Sequence, residues 1–192
     1  KGWRIGVLAF AEHEFNIAEG TKLGANLFDP YCSFDDIVQT KTECDFLIVL
    51  YHGGIEHYPY PSPLLQKKCR KIIEKGADIV LCQHSHCIGS EEKYLNGTVL
   101  YGQGNTLFGY RKNNDRWNHG LVVNLKLKEN SKEIIYTPIA QQICGADTVK
   151  EPERNVIIDE LNKNSQLIKD PAFIQTQWKD FVKSKEARYL PM

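Results

Sequence analysis

Two uninterrupted apolar runs, Phe46-Leu-Ile-Val-Leu50 and Ile79-Val-Leu81, stand out in a chain whose other hydrophobic positions mostly alternate with polar ones or recur at helical spacing. Without polar alternation neither run can leave one face in water, so both predict strands covered on both sides, as in a parallel sheet. Between them Ser62-Pro63 reads as an N-cap with proline at the first helical position. Leu65, Cys69, Ile72 and Ile73 follow at helical spacing, and Gly76 closes the helix. Strand, helix and strand make a βαβ unit. Residues 3–10 predict a strand entering the core, 34–43 a short helix, 57–61 a Tyr/Pro loop, and Thr98-Val-Leu-Tyr101 a further strand ending in Gly102-Gln-Gly-Asn105. The stretch from Glu12 to Tyr31 carries glycine and proline without a period, and so long a connection serves a site or a partner. Residues 121–127 alternate, and 134–139 follow a polar turn at 129–132, which predicts an antiparallel hairpin. From about Glu151 the pattern turns helical. Ile157, Ile158, Leu161 and Ile168 form one stripe, then Asp170-Pro171 caps a second helix with Ile174, Trp178, Phe181 and Val182 on its buried face.

His52, followed by Gly53-Gly-Ile-Glu56, and the pair His84-Ser-His86 come directly after the two apolar runs. Ligands of parallel sheets collect in the crevice beyond the carboxyl ends of the strands, so His52, Glu56, His84 and His86 are expected to face one site. A lone histidine at a strand end is most often structural. Three at two strand ends are a different matter, because His-x-His lets two imidazoles approach one ion or a pair of ions, and neutral imidazole suits zinc, iron, nickel or manganese. Gly53-Gly54 allow a tight turn that leaves room over the site, or simply a loop after a strand. Glu56 reads as an oxygen ligand, a partner orienting an imidazole, a general base, or a solvated loop acid. Asn105, behind two glycines at a third strand end, could bind a substrate oxygen or a neighbouring loop, or occupy a left-handed turn. His57 and His119 read as structural. His13 resembles them, although Glu12-His-Glu14 could bring a charged imidazole to a substrate. A serine-hydrolase elbow and a phosphate-binding P-loop are both absent from the sequence.

Charge and cysteine content narrow the classes. The 24 basic and 24 acidic residues cancel, and no basic stretch alternates with aromatics, which argues against a nucleic-acid partner. No apolar stretch approaches the roughly 20 residues a bilayer crossing needs, and the opening residues lack a signal-peptide pattern. The six cysteines form no CxxC pair, and Cys69 falls on the apolar stripe of its helix. They are expected to be mostly reduced and buried, which favours a cytoplasmic location. The alternative is attachment to the cell surface through a segment preceding Lys1. The one methionine is Met192, so residues before Lys1 are expected.

The segments Leu50-Tyr-His-Gly-Gly-Ile-Glu56, 72–86 ending in Gln-His-Ser-His, and Tyr101-Gly-Gln-Gly-Asn105 with Phe108 resemble, in order and spacing, the C-terminal half of the poly-γ-glutamate capsule-biosynthesis proteins of the CapA type. That family is similar to the calcineurin-like metallophosphoesterases. The resemblance covers residues 1–127. It implies an α/β fold, half of an αββα sandwich with C-terminal helices, divided as 1–148 for the half-domain and 149–192 for the helical extension. By resemblance His52, His84 and His86 are metal ligands for manganese, iron or zinc, and Glu56 and Asn105 are catalytic or substrate groups. The Asp-x-His, Gly-Asp and Gly-Asn-His motifs of the other half are missing. The chain is therefore expected to need that N-terminal half as its partner and to be inactive alone as a phosphoester hydrolase. The parent is expected to hydrolyse a phosphoester or to support synthesis or export of an anionic polymer; the alternative is a non-catalytic assembly or carrier subunit.

Overall fold

A computed structural model describes residues 2–12, 17–129 and 131–189. Its elements are β1 (Ile5–Ala11), α1 (Ser33–Glu43), β2 (Phe46–His52), α2 (Pro63–Glu74), β3 (Ile79–Gln83), β4 (Glu91–Tyr94) and β5 (Gly97–Leu100), followed by α3 (Asp115–Asn118), β6 (His119–Lys128), β7 (Ser131–Gln142), β8 (Gly145–Thr148), α4 (Glu153–Leu167) and α5 (Pro171–Tyr189). The fold is mixed α/β with two sheets. A five-stranded sheet runs β1-β2-β3-β5-β4, parallel except for β4, and a three-stranded antiparallel sheet runs β6-β7-β8.

Period-two alternation sorts each strand of the large sheet between two cores. Leu47, Val49 and Tyr51 of β2 and Val80 and Cys82 of β3 meet Ile37 of α1, Leu65, Cys69, Ile72 and Ile73 of α2, and Ile174 of α5. On the opposite face Phe46, Ile79, Leu81 and Leu100 meet Leu121 and Val123 of β6, Ile134 and Ala140 of β7, and Ile157 and Leu161 of α4. The layers are helices, sheet, sheet. The two C-terminal helices contribute to both cores, α4 through Ile157 and Leu161 and α5 through Ile174.

The βαβ unit forms as its sequence predicts. Ser62 Oγ accepts from the Leu65 N–H at 3.1 Å, with proline in the first turn of α2. Asp78, just before β3, ties three elements together: Lys41 of α1 and Lys132 of β7 donate to its carboxylate at 2.6 and 2.7 Å, and the Leu47 N–H of β2 at 2.8 Å. Segment 17–28 returns along the end of β1, with Ala11 N–H donating to Asn26 O at 2.7 Å and Phe28 N–H to Ala11 O at 2.9 Å. His13 lies outside the described residues.

Two expectations change. Val182 is exposed, so the buried face of α5 is carried by Ile174 with the half-buried Trp178 and Phe181. Cys44, Cys69 and Cys82 are buried as expected, but Cys32 and Cys144 are exposed and Cys87 is half-buried. Among the described residues no helix is long and apolar enough to cross a membrane.

Candidate functional site

Parallel pairing sets His52 opposite Gln83, so His52 and the next residue along the other strand, His84, leave the sheet side by side. Their rings pack edge to face with centroids 5.0 Å apart, and His52 Nε2 lies 3.2 Å from His84 Nδ1. His86 follows, its ring centroid 6.3 Å from that of His84. The sheet edge thus brings together all three histidines singled out in the sequence. The local backbone is strained: His84 has φ 102°, His86 φ 56° and His57 φ 61°. Positive φ is uncommon outside glycine, costs of order 1–3 kcal/mol per residue, and persists only where the surroundings enforce it. Here the His57 N–H donates to Ser85 O at 2.8 Å, the Gly53 N–H to Gln83 O at 3.0 Å, and the Gly104 N–H to Cys87 O at 3.0 Å.

Asn105 is buried behind His86. Its Nδ2 donates to the Trp117 carbonyl at 2.8 Å, which leaves Oδ1 as acceptor toward His86 Nδ1, 2.8 Å away. The proton of neutral His86 therefore sits on Nδ1, and the lone pair of Nε2 is presented to the site. The strand-end turn and β6 approach too closely for side chains between them. A Cβ on Gly120 would stand 2.3 Å from Asn105 O, and one on Gly104, at φ +69°, 2.4 Å from His119 O. These glycines allow Asn105 N–H to donate to His119 O at 2.9 Å. Asn105 is thus a positioning residue, acting on the site through His86. Glu56 does not join the cluster: it is exposed on the following turn and makes no hydrogen bond or ion pair with a described residue.

The donor chemistry of the His52–His84 pair fits a transition metal. Two imidazole nitrogens bonded at about 2.0–2.1 Å to one tetrahedral ion stand roughly 3.3 Å apart, close to the 3.2 Å observed. The same distance also suits an N–H···N hydrogen bond between the two rings. Among the described residues no group of three His, Cys, Asp or Glu is disposed to hold an ion. At the same edge Glu12, the residue after β1, pairs with Lys68 of α2, and its carboxylate lies over Gly53.

Beside His86 opens a cavity of about 270 Å³ lined by His57, His86, Arg111, Arg116, Trp117 and His119, with Cys87 and Glu160 among its other walls. Sequence reasoning missed this cleft because its residues come from the loops after β2 and β3, the loop before α3, α3 itself, the start of β6 and α4. His57 and His119 were read as structural, and the only sequence signal was Arg111 and Arg116 bracketing the segment that ends at Trp117. Burial pushes the Cys87 thiol up to about 11, against the pull of Arg116, so it stays protonated and is no nucleophile at neutral pH.

Residues 1–110 match the family described as bacterial capsule synthesis protein PGA_cap. The chain is 31% identical over 143 residues to the PGA biosynthesis protein CapA of Bacillus subtilis (strain 168), an alignment covering 71% of this chain and 36% of that protein. It is 29% identical over 97 residues to the capsule biosynthesis protein CapA of Bacillus anthracis, covering 50% of this chain and 23% of that protein. The chain therefore spans well under half the length of these curated relatives.

Proposed function

We propose, from the premise that this chain belongs to the bacterial capsule synthesis protein PGA_cap family, that it is the C-terminal part of a factor in the synthesis or export of poly-γ-glutamate capsule. Its histidine edge contributes half of a metallophosphatase-like centre acting on a phosphoester. The observation that carries the site is the His52–His84 pair, whose nitrogens lie 3.2 Å apart at the ends of adjacent parallel strands. A manganese, iron or zinc ion bound there would polarise a phosphoryl oxygen. His52 and His84 would supply two of its donors and the N-terminal half of the domain the carboxylates, with His86 beside the pair offering Nε2 to the same ion or to a second one. Glu56, exposed on the turn after β2, would exchange a proton with a group entering from solvent. Cysteine usage favours the cytoplasm, and a preceding anchor at the cell surface is the alternative.

A second reading, a non-catalytic assembly or carrier subunit, draws support from the lack of a three-group ion cluster among the described residues. Calorimetric titration with manganese and zinc, alongside hydrolysis of a chromogenic phosphodiester, separates the two. The metallophosphatase reading expects weak metal binding that His84→Ala abolishes, and no turnover until the N-terminal half is added. Absence of metal binding at millimolar concentration leaves the carrier reading.

A further inference from the structure

We propose that the cavity beside His86 is a subsite for an oxyanion, a carboxylate or phosphate group of the ligand, held by the guanidinium of Arg111. Arg111 lies over Trp117, its Cζ 3.3 Å from the ring centroid. Both partners of this stack are fixed. The Trp117 indole N–H donates to Gly109 O at 2.8 Å, while the backbone of Arg111 is gripped by the buried Asn118, which accepts from its N–H at 3.0 Å and donates to its carbonyl at 2.7 Å. A stacked guanidinium keeps its N–H donors directed outward in one plane, the geometry that matches two oxygens of one anion. No carboxylate of a described residue takes that fork.

The walls decide the sign of the ligand. His57, His86 and Trp117 line it as a cluster of rings, and Phe108 packs on His86 from outside the lining; the His86 centroid lies 4.9 Å from that of Trp117 and 4.5 Å from that of Phe108. Such a cage alone would suit a cation. The lining, however, carries two guanidiniums, Arg111 and Arg116, against the single carboxylate of Glu160. Glu160 already accepts from Arg116 at 3.3 Å, so Arg111 is left to the ligand. The volume of about 270 Å³ admits one monomer-sized group rather than a length of chain.

The inference rests on the reading of the histidine edge as the functional site, but its test needs no metal. In EDTA the chain is titrated separately with inorganic phosphate and with glutarate, read by calorimetry and by the Trp117 indole N–H resonance. Binding by either probe is expected, and the tighter one tells whether the subsite favours phosphate or carboxylate. Arg111→Ala should weaken binding at least about tenfold and Arg111→Lys less, since lysine keeps the charge without the fork; Lys128→Ala, on the distant hairpin, should change nothing. Glu160→Gln should tighten binding more than Asp159→Asn on the same helix. No resonance shift at about 10 mM, where a millimolar site is nearly filled, or binding equal in Arg111→Ala, overturns the proposal. Because metal is absent throughout, a failed metal titration of His52 and His84 counts only against the phosphatase reading.

Discussion

Asn105 gives its amide protons to the Trp117 carbonyl, and that bond settles what its oxygen can do for His86. The consequence is measurable. Nitrogen-15 spectra of neutral His86 should show the proton on Nδ1, and Asn105→Ala should erase that preference while destabilising the chain by about 1–3 kcal/mol through lost buried hydrogen bonds. A wild-type His86 protonated on Nε2 would contradict the network. The place of Asn105 behind Gly-x-Gly was legible in the sequence, as was the gathering of His52, His84 and His86, because both follow from strand ends. Its partners were not, since Trp117 and His119 reach it only through the fold of the following loop. Glu56 is harder to read: four residues past the end of β2 a turn can aim a carboxylate anywhere, and this one faces water.

At the scale of elements, legibility followed apolar continuity. The βαβ unit, the hairpin and both C-terminal helices could be read because burial on defined faces writes a period into the sequence. β4 could not: Glu91-Glu-Lys-Tyr94 has no apolar period, and its acids are held half-buried by Tyr136 donating to Glu91 and by Arg70 and Tyr101 donating to Glu92. Asp78 is another polar residue whose role appears only in three dimensions. Burial pushes its carboxyl up, but the bonds from Lys132, Lys41 and the Leu47 N–H outweigh that, so it sits below its ordinary value of 3.8. A depressed folded value means the unfolded chain takes up the proton first, so the stabilisation is complete well above pH 4 and is lost as pH falls through the folded value. Asp78→Asn is expected to cost about 2–4 kcal/mol at neutral pH, as befits broken bonds to a partly buried charge. In urea titrations the difference from wild type should shrink as pH drops below about 4. A difference constant from pH 7 to 3 would assign the effect to packing instead.

For the whole molecule, the second sheet covers only part of the first. β1 is an edge strand, and Ile5, Val7 and Ala9 lie in register with Phe46, Ile48 and Leu50, on the face where the β6-β7-β8 sheet packs. Yet Ile5 is 52% and Val7 56% exposed, whereas Phe46 is buried. The helix-facing side of the same strand is closed by Phe10 packing on Phe28, so the gap is confined to the sheet-facing side. An exposed apolar stripe beside a parallel edge that, among the described residues, is bridged only toward its Ala11 end favours association in solution. The N-terminal half of the domain, supplied as a separate chain, is therefore expected to bind here, burying more than about 1,000 Å² in total; without it, copies of this chain should self-associate through the same face. Val7→Glu places a charge in the stripe at a position already open to water, so it should leave the fold and the His52–His84 pair intact while abolishing both associations. Sedimentation at micromolar concentration, with circular dichroism as the control for folding, reads the result. A wild-type chain that stays monomeric alone and with the added half would show that 192 residues make a self-sufficient domain, and the two-half reading would have to be given up.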